Sequence, residues 1–322
     1  MFNNAFNKTV MKQLTNNILM IKPACFRYNE QTATSNYYQQ DFSHLTSAQI
    51  QTQALLEFNN LVEKLEISGV NVMIIEDIKK TDTPDSIFPN NWVSFHANGM
   101  IVIFPMYAKN RRAERRLEIF DLLVDKYDFK IEEIKDFTYF EEYGKYLEGT
   151  GSMVFDRECK ICYAAISIRT DKAALMQFCE ELDYRPVCFT ANQDVNGKRF
   201  PIYHTNVMMS VGDRFAVVCL DAIDNKDERD CVFNTLVETG KEIIEISETQ
   251  KHRFAGNMLQ VVGDKPYLVM SKSAFTCLTE QQKKQIEKYC SIIYSSLDTI
   301  EAYGGGSARC MMAEVFLPKK QI

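Results

Sequence analysis

Near the C-terminus, Gly304-Gly305-Gly306-Ser307-Ala308-Arg309-Cys310 sets a thiol directly after a glycine-rich turn and ahead of the apolar run 311–316. Neighbouring glycines accept backbone dihedrals that a Cβ forbids, and let a substrate or another strand come close. A thiol held by such a turn against a core strand is rigid on one side and reachable on the other, as a nucleophile requires. The bland alternative is a glycine loop followed by a core cysteine, because free cysteine is among the most buried residue types. Three other loops weigh against it. Asp85 lies in Pro84-Asp85-Ser86-Ile87-Phe88-Pro89-Asn90-Asn91, Glu148 precedes Gly149-Thr150-Gly151, and His204 stands in Tyr203-His204-Thr205-Asn206. A thiol needs a cation or base beside it to be thiolate-rich at neutral pH, and an imidazole passes protons. A carboxylate among glycines orients a base or bonds a substrate. Taken singly, each is an ordinary loop or turn residue.

The elements around these loops repeat. The helix predicted over 46–68 carries Ala54, Leu55, Phe58, Leu61, Val62 and Leu65 at helical spacing, with Gly69 placed to end it and a buried strand at 70–75. Then a unit of hairpin, helix and strand recurs four times, at a spacing of roughly 50 to 60 residues. Hairpins are expected at 92–104, 152–164, 207–218 and 258–270. Helices follow at 110–127, 172–182, 228–239 and 281–289, and strands at 130–134, 185–189, 242–246 and 292–294. A fifth unit forms if the strand 310–316 pairs with the strand 17–22, completed by the helix 46–68 and the strand 70–75. The expectation is an α/β fold, a five-bladed α/β propeller of ββαβ units. It forms a single domain over 17–322, closed by its terminal strands, after a flexible segment 1–16. In that frame the loops before the hairpins face the centre, so Glu148, His204 and Cys310 come from corresponding positions in three units.

Composition narrows the class. Hydrophobic content of 46% and charged content of 25% fit a soluble globular protein. A net charge of −6 argues against nucleic acid or an anionic membrane surface as partner. No apolar stretch approaches the roughly eighteen residues of a membrane span, and the polar, Asn-rich start is not a secretory signal. Ten scattered cysteines suit reduced thiols and a cytoplasmic location. Cys159 and Cys162 have CxxC spacing, but without a second pair and with four histidines no metal site is expected. Their place in a hairpin turn ranks a redox role last. The partner expected is a small amino-acid substrate, with homo-oligomerisation left open.

These motifs resemble the guanidine-modifying pentein superfamily, which includes dimethylarginine dimethylaminohydrolase, arginine deiminase and the amidinotransferases. The resemblance runs from Asn17 to Phe316. Pro84-Asp85-Ser86-Ile87-Phe88 resembles the family's substrate loop, Glu148-Gly149 its Glu-Gly start, His204 its His-x-Asp histidine, and Gly305-Gly306…Cys310 its glycine-cysteine terminus. It implies Cys310 as nucleophile, His204 as acid/base and Glu148 as carboxylate partner. It also implies a binding set of Asp85, Phe88, Asn90, Asn91 and Asn206. Arg111 and Arg169 resemble the arginines that hold the substrate's α-carboxylate, a natural task for a planar guanidinium. No metal or organic cofactor is implied.

The departures shape the expected substrate. Asn90-Asn91 stand where an acidic residue is usual, and His204-Thr205-Asn206 replaces His-x-Asp. A buried guanidinium facing amides lacks its counter-charge, which is costly. A neutral ureido group matches paired amides. The reading is therefore a citrulline ureidase that converts citrulline to ornithine, ammonia and carbon dioxide through a covalent cysteine intermediate. The alternative is a guanidine hydrolase acting on arginine or methylarginines, with Asp85 as cation clamp. A catalytically silent amino-acid-binding propeller is the reading from another class.

Overall fold

The computed structural model describes residues 12–40 and 45–320. Among them are five three-stranded sheets and one two-stranded ribbon. Four sheets share one plan: an antiparallel hairpin, then a strand added in parallel after a helical crossover. Val93–Phe95 and Met100–Ile103 take Glu133–Asp136, and Val154–Asp156 and Ile161–Ala165 take Arg185–Phe189. Met209–Val211 and Phe215–Val218 take Glu242–Glu245, and Leu259–Val262 and Pro266–Ser271 take Ser291–Ser295. The remaining sheet draws on both ends of the described chain. Asn17–Lys22 runs parallel to Asn71–Glu76 and antiparallel to Ala313–Glu314, with Ile18 opposite Glu314. The result is an α/β fold of repeated units, as expected.

Local chemistry accounts for most elements. Ser47–Ile67 is a helix because Thr46 and Gln49 form a reciprocal capping box and Ala54, Phe58, Leu61, Val62 and Leu65 line one buried face. Gly69 then turns into the strand at φ +81, where a Cβ would lie 2.9 Å from the Asp264 amide. The inner strands are apolar on both faces: Ile101, Val102, Cys162, Tyr163, Ala164, Ala216 and Val217 are all fully buried.

Two expectations change, and one element is new. The helix expected over 110–127 is a 3₁₀ turn, Lys109–Glu114, followed by a shorter helix, Glu118–Asp125. Arg111 and Glu114 turn inward as a buried ion pair, and apolar periodicity begins only at Ile119. The strand expected over 310–316 contracts to Ala313–Glu314. Consecutive tight turns, Cys310 N–H to Ser307 and Met312 N–H to Arg309, use the backbone donors that a ladder would need. An unexpected ribbon, Asn192–Val195 with Lys198–Pro201, turns at Asn196-Gly197, both with positive φ. The flexible segment expected over 1–16 falls mainly outside the described residues. Gln13, however, is buried and fixed: its amide donates to Phe155 and Val211 carbonyls and accepts from the Arg157 N–H.

Candidate active site

Cys310 is placed by the C-terminus of the helix Asp298–Gly304. Gly305 ends that helix in the left-handed region at φ +62. Gly304 and Gly306 lie under the Phe88 ring, which a Cβ on either would approach to 2.8 and 2.9 Å. The glycine run is therefore a close-packing requirement between two site loops. Two side chains hydrogen-bond to the thiol: Asn257 Nδ2 donates to Sγ at 3.2 Å and Asn206 Nδ2 at 3.6 Å. Burial pushes the Cys310 thiol up, against the opposing pull of the Ser307 backbone and the Asn257 amide.

Glu148 and His204 form a buried pair, with Nε2 and Oε2 2.7 Å apart. The other Glu148 oxygen accepts the Tyr107 N–H at 2.9 Å, and Arg169 Nη1 lies 3.5 Å from Oε2. Burial alone would push this carboxyl up; Arg169 and the His204 hydrogen bond outweigh it and hold it at about 2. Burial lowers His204 to about 4 despite the neighbouring carboxylate. At neutral pH the pair is thus a carboxylate and a neutral imidazole. The ring proton belongs on Nε2, facing Glu148, and Nδ1 keeps its lone pair. Gly151 allows this packing: a Cβ there would lie 2.7 Å from His204 Cε1 and Nδ1.

A narrow cavity of about 10 Å³ lies between Cys310 and His204; Asp85, Phe88, Asn91 and Arg111 also line it, and Thr32 and Asn36 cover it. Asp85 is buried, with Oδ2 accepting from Asn29 at 2.7 Å and Thr32 at 3.1 Å. Its Oδ1 has no hydrogen-bond partner. Burial pushes the Asp85 carboxyl up, with Arg111 opposing. A larger cavity elsewhere, beside Thr15, Asn98 and Phe316, gathers no nucleophile or ionisable cluster.

A protein-family model described as N,N dimethylarginine dimethylhydrolase, eukaryotic, matches residues 22–317. The chain belongs to the N,N dimethylarginine dimethylhydrolase family. Solved structures with the same fold include apo ArgZ, an arginine dihydrolase from the ornithine-ammonia cycle in cyanobacteria (TM-score 0.71, 18% identity). The match covers 94% of this chain and 41% of ArgZ, so the chain spans less than half of that protein. The N-terminal domain of ArgZ, covalently bound to a reaction intermediate, is covered to 99% along 94% of this chain (TM-score 0.69, 18% identity). A dimethylarginine dimethylaminohydrolase adduct with S-methyl-L-thiocitrulline has a TM-score of 0.59 at 15% identity, over 94% of this chain and 99% of that one. At these identities the likeness is one of fold. Among curated proteins no sequence matches. The family assignment supports the guanidine-modifying pentein superfamily and does not single out a citrulline ureidase subgroup.

In this member of the dimethylarginine dimethylhydrolase family both arginines already have partners. Arg111 donates through Nε and Nη2 to the Glu114 carboxylate, each at 2.9 Å, and through Nη1 to Asn91 Oδ1 at 2.8 Å. Arg169 donates to Ser35 Oγ and the Thr32 carbonyl, tying the cover to the site, and lies over the Tyr203 ring. Asn90 is fully buried, accepts from Asn91 and leaves its own Nδ2 unpartnered. Asn206 donates to the Thr150 carbonyl as well as to Cys310. Asn257 and Glu114 were not candidates from sequence; Asn29, Thr32 and Asn36 fall in the loop 26–45, which the sequence offers as a lid or, at least as readily, as a plain surface loop. Asn257 does carry a signal, since Gly256-Asn257 precedes a hairpin where the other units place their polar loops. Among the described residues, no group of three or more His, Cys, Asp or Glu is arranged to hold a metal ion, and no helix is long and apolar enough to cross a membrane.

Proposed function

We propose that this protein is a cysteine-dependent hydrolase of the guanidino group of arginine or a methylarginine. The observation that carries this reading is Asp85: a buried carboxylate lining the cavity with Cys310 and His204, one oxygen left without a partner. An unpartnered buried carboxylate oxygen is costly, and a cationic substrate group satisfies it by a charge-assisted hydrogen bond. The thiol supplies a second argument. Burial pushes it up, so the unliganded site holds a thiol and a neutral imidazole. A cation entering the same cavity favours the thiolate; a neutral ureido group brings no such charge. Similar structures support covalent chemistry, since the ArgZ domain and the dimethylarginine dimethylaminohydrolase cited above hold a bound intermediate and an adduct.

The steps follow from the groups present. The thiol proton passes to His204 Nδ1, and the Cys310 thiolate forms a C–S bond to the guanidino carbon. The tetrahedral adduct collapses with loss of the terminal nitrogen, protonated by His204 as it leaves as ammonia or a methylamine. Water then gives a proton to His204 and attacks the same carbon. The C–S bond breaks, the ureido product departs and Cys310 returns. Glu148 fixes the imidazole tautomer and stabilises the transient imidazolium. The reading carries with it a single five-bladed propeller, its five sheets closing through the terminal strands around this site.

A second reading, citrulline to ornithine, ammonia and carbon dioxide, is favoured by the amides of Asn90 and Asn91, which stand beside the cavity in place of acidic side chains. One assay separates the two. Purified protein is incubated with arginine, dimethylarginine, citrulline or agmatine, and products are identified by mass spectrometry. Citrulline from arginine or dimethylarginine supports the guanidine hydrolase. Ornithine from citrulline alone replaces it with the ureidase. Unchanged turnover in Cys310→Ala removes the covalent mechanism under either reading.

A further inference from the structure

The orientation of one amide at the nucleophile is dictated by backbone alone. Asn257 is fully buried. Its Oδ1 accepts the Arg309 N–H at 3.1 Å, and its Nδ2 donates to the Asn206 carbonyl at 3.0 Å. Exchanging the two amide atoms would set Oδ1 against a carbonyl oxygen and Nδ2 against an N–H. The side chain can therefore present only an N–H to Cys310 Sγ, 3.2 Å away. The loop that carries it is equally constrained. Phe254 takes a left-handed φ of +60 and its carbonyl accepts the Asn257 N–H at 2.9 Å. A Cβ on Gly256 would lie 2.6 Å from the Val207 carbonyl oxygen. So Asn257 reaches both the peptide just before the nucleophile and the loop two residues after His204.

We propose that Asn257 is a positioning residue that holds and tunes the Cys310 thiolate through a single-orientation amide N–H. The proposal rests on Cys310 being the nucleophile. A donor at this distance stabilises the sulfur anion over the thiol, and it does so without a fixed charge beside an incoming cation. Other ionisable groups around the sulfur are His204 and Tyr203 from the adjacent loop, and Asp85, Arg111 and Arg169 around the cavity. The neighbouring Arg309 guanidinium is taken up by Glu314 at 2.8 Å and the Met312 carbonyl.

The test is the pH profile of Cys310 alkylation by iodoacetamide, read on the Cys310 peptide by mass spectrometry because nine other cysteines are present. Wild type is compared with Asn257→Asp, which replaces the donor by an acceptor, and with Asn257→Ala, which removes it. The midpoint should rise by about one pH unit or more in each variant, roughly a tenfold loss of thiolate at neutral pH. The high-pH plateau, which reports access to the sulfur, should stay within about twofold. Turnover at neutral pH should fall by a similar factor of roughly ten and recover as pH is raised. Midpoints that coincide with wild type in either folded variant overturn the proposal, as does a lowered plateau with an unmoved midpoint. Neither result depends on which substrate is turned over. Failure of the functional reading would appear instead as turnover by Cys310→Ala.

Discussion

Replacing Glu148 by Gln keeps its size and one carbonyl oxygen, and removes only the charge. Two consequences can be estimated separately. His204 loses an anionic acceptor at 2.7 Å; at an effective dielectric of 20, a unit-charge pair at that distance is worth about 6 kcal/mol to the imidazolium. That exceeds what general acid–base catalysis usually supplies, so kcat should fall by roughly 10²- to 10⁴-fold, with KM moved far less. Arg169, 3.5 Å away and buried, loses a counter-charge, which should destabilise the fold by about 3–5 kcal/mol. Adding Arg169→Met should return most of the stability and none of kcat. The pH dependence is a further check. Glu148 is held at about 2 against an ordinary 4.5, so its stabilisation is complete above pH 4.5 and lost as pH falls through 2. His204, lowered from 6.5 to about 4, acts in the same direction, because the unfolded chain takes up its proton first as pH drops from 6.5 towards 4. Glu148→Gln should lose the acid-labile stabilisation below pH 4.5. The assays are steady-state kinetics with the substrate found in the panel, and urea unfolding across pH. A kcat within tenfold of wild type, or a double variant that regains kcat, would refute an orienting role for Glu148.

Asp85→Asn should raise KM for a cationic substrate by roughly 10- to 150-fold, the range of a charge-assisted hydrogen bond of about 1.5–3 kcal/mol, and leave a ureido substrate nearly unaffected; equal effects on both would contradict the cation clamp. Gly151→Ala puts a Cβ 2.7 Å from His204 and 2.5 Å from Asn91 Nδ2, so kcat should drop about 10²-fold by displacement of the imidazole, with far-UV circular dichroism unchanged; wild-type kcat would show that the ring tolerates movement. Glu301, which accepts the Ser307 hydroxyl at 2.6 Å, is pushed by burial from 4.5 to about 7. The folded chain therefore holds its proton after the unfolded chain has lost it, and that contribution to stability, present below pH 4.5, declines as pH rises through 7. Glu301→Gln should flatten the stability profile over this window by up to about 3 kcal/mol, and denaturant unfolding at several pH values that finds parallel profiles would dismiss the assignment.

The repeat was legible because its signals are local. Asn98-Gly99, Gly212-Asp213 and Gly263-Asp264 punctuate hairpins wherever apolar runs flank them, and the helices between announce themselves by capping and spacing. What was missed depends on contacts distant in sequence. Nothing local says that Arg111 and Glu114 turn inward, yet that pair breaks the helix expected over 110–127 into a 3₁₀ turn and a shorter helix. The run 310–316 looks like a strand because apolar content cannot distinguish a ladder from a chain of tight turns packed in the core. The Asn196-Gly197 hairpin is the exception, since its turn signal was present and its polar strands hid it.

The same distinction bears on the substrate. From sequence, Asn90 and Asn91 were substitutes for acidic residues, and paired amides suggested a neutral ligand. In the structure Asn91 Oδ1 is taken by Arg111 and its Nδ2 by Asn90. Asn91 is thus wired into the protein, and Arg111 pairs with Glu114, whose carboxyl burial pushes up to about 8, and lies 3.8 Å from Asp85 Oδ2. Glu114 thus brings a carboxyl to Arg111 from the 3₁₀ turn Lys109–Glu114 and not from the substrate loop. Asp85 meanwhile keeps an oxygen open at the cavity. A count of carboxylates in the motif therefore understates the site's capacity for a cation, because the deciding quantity is which acceptor atoms remain unpartnered after folding. On that measure Asp85 outweighs the paired amides.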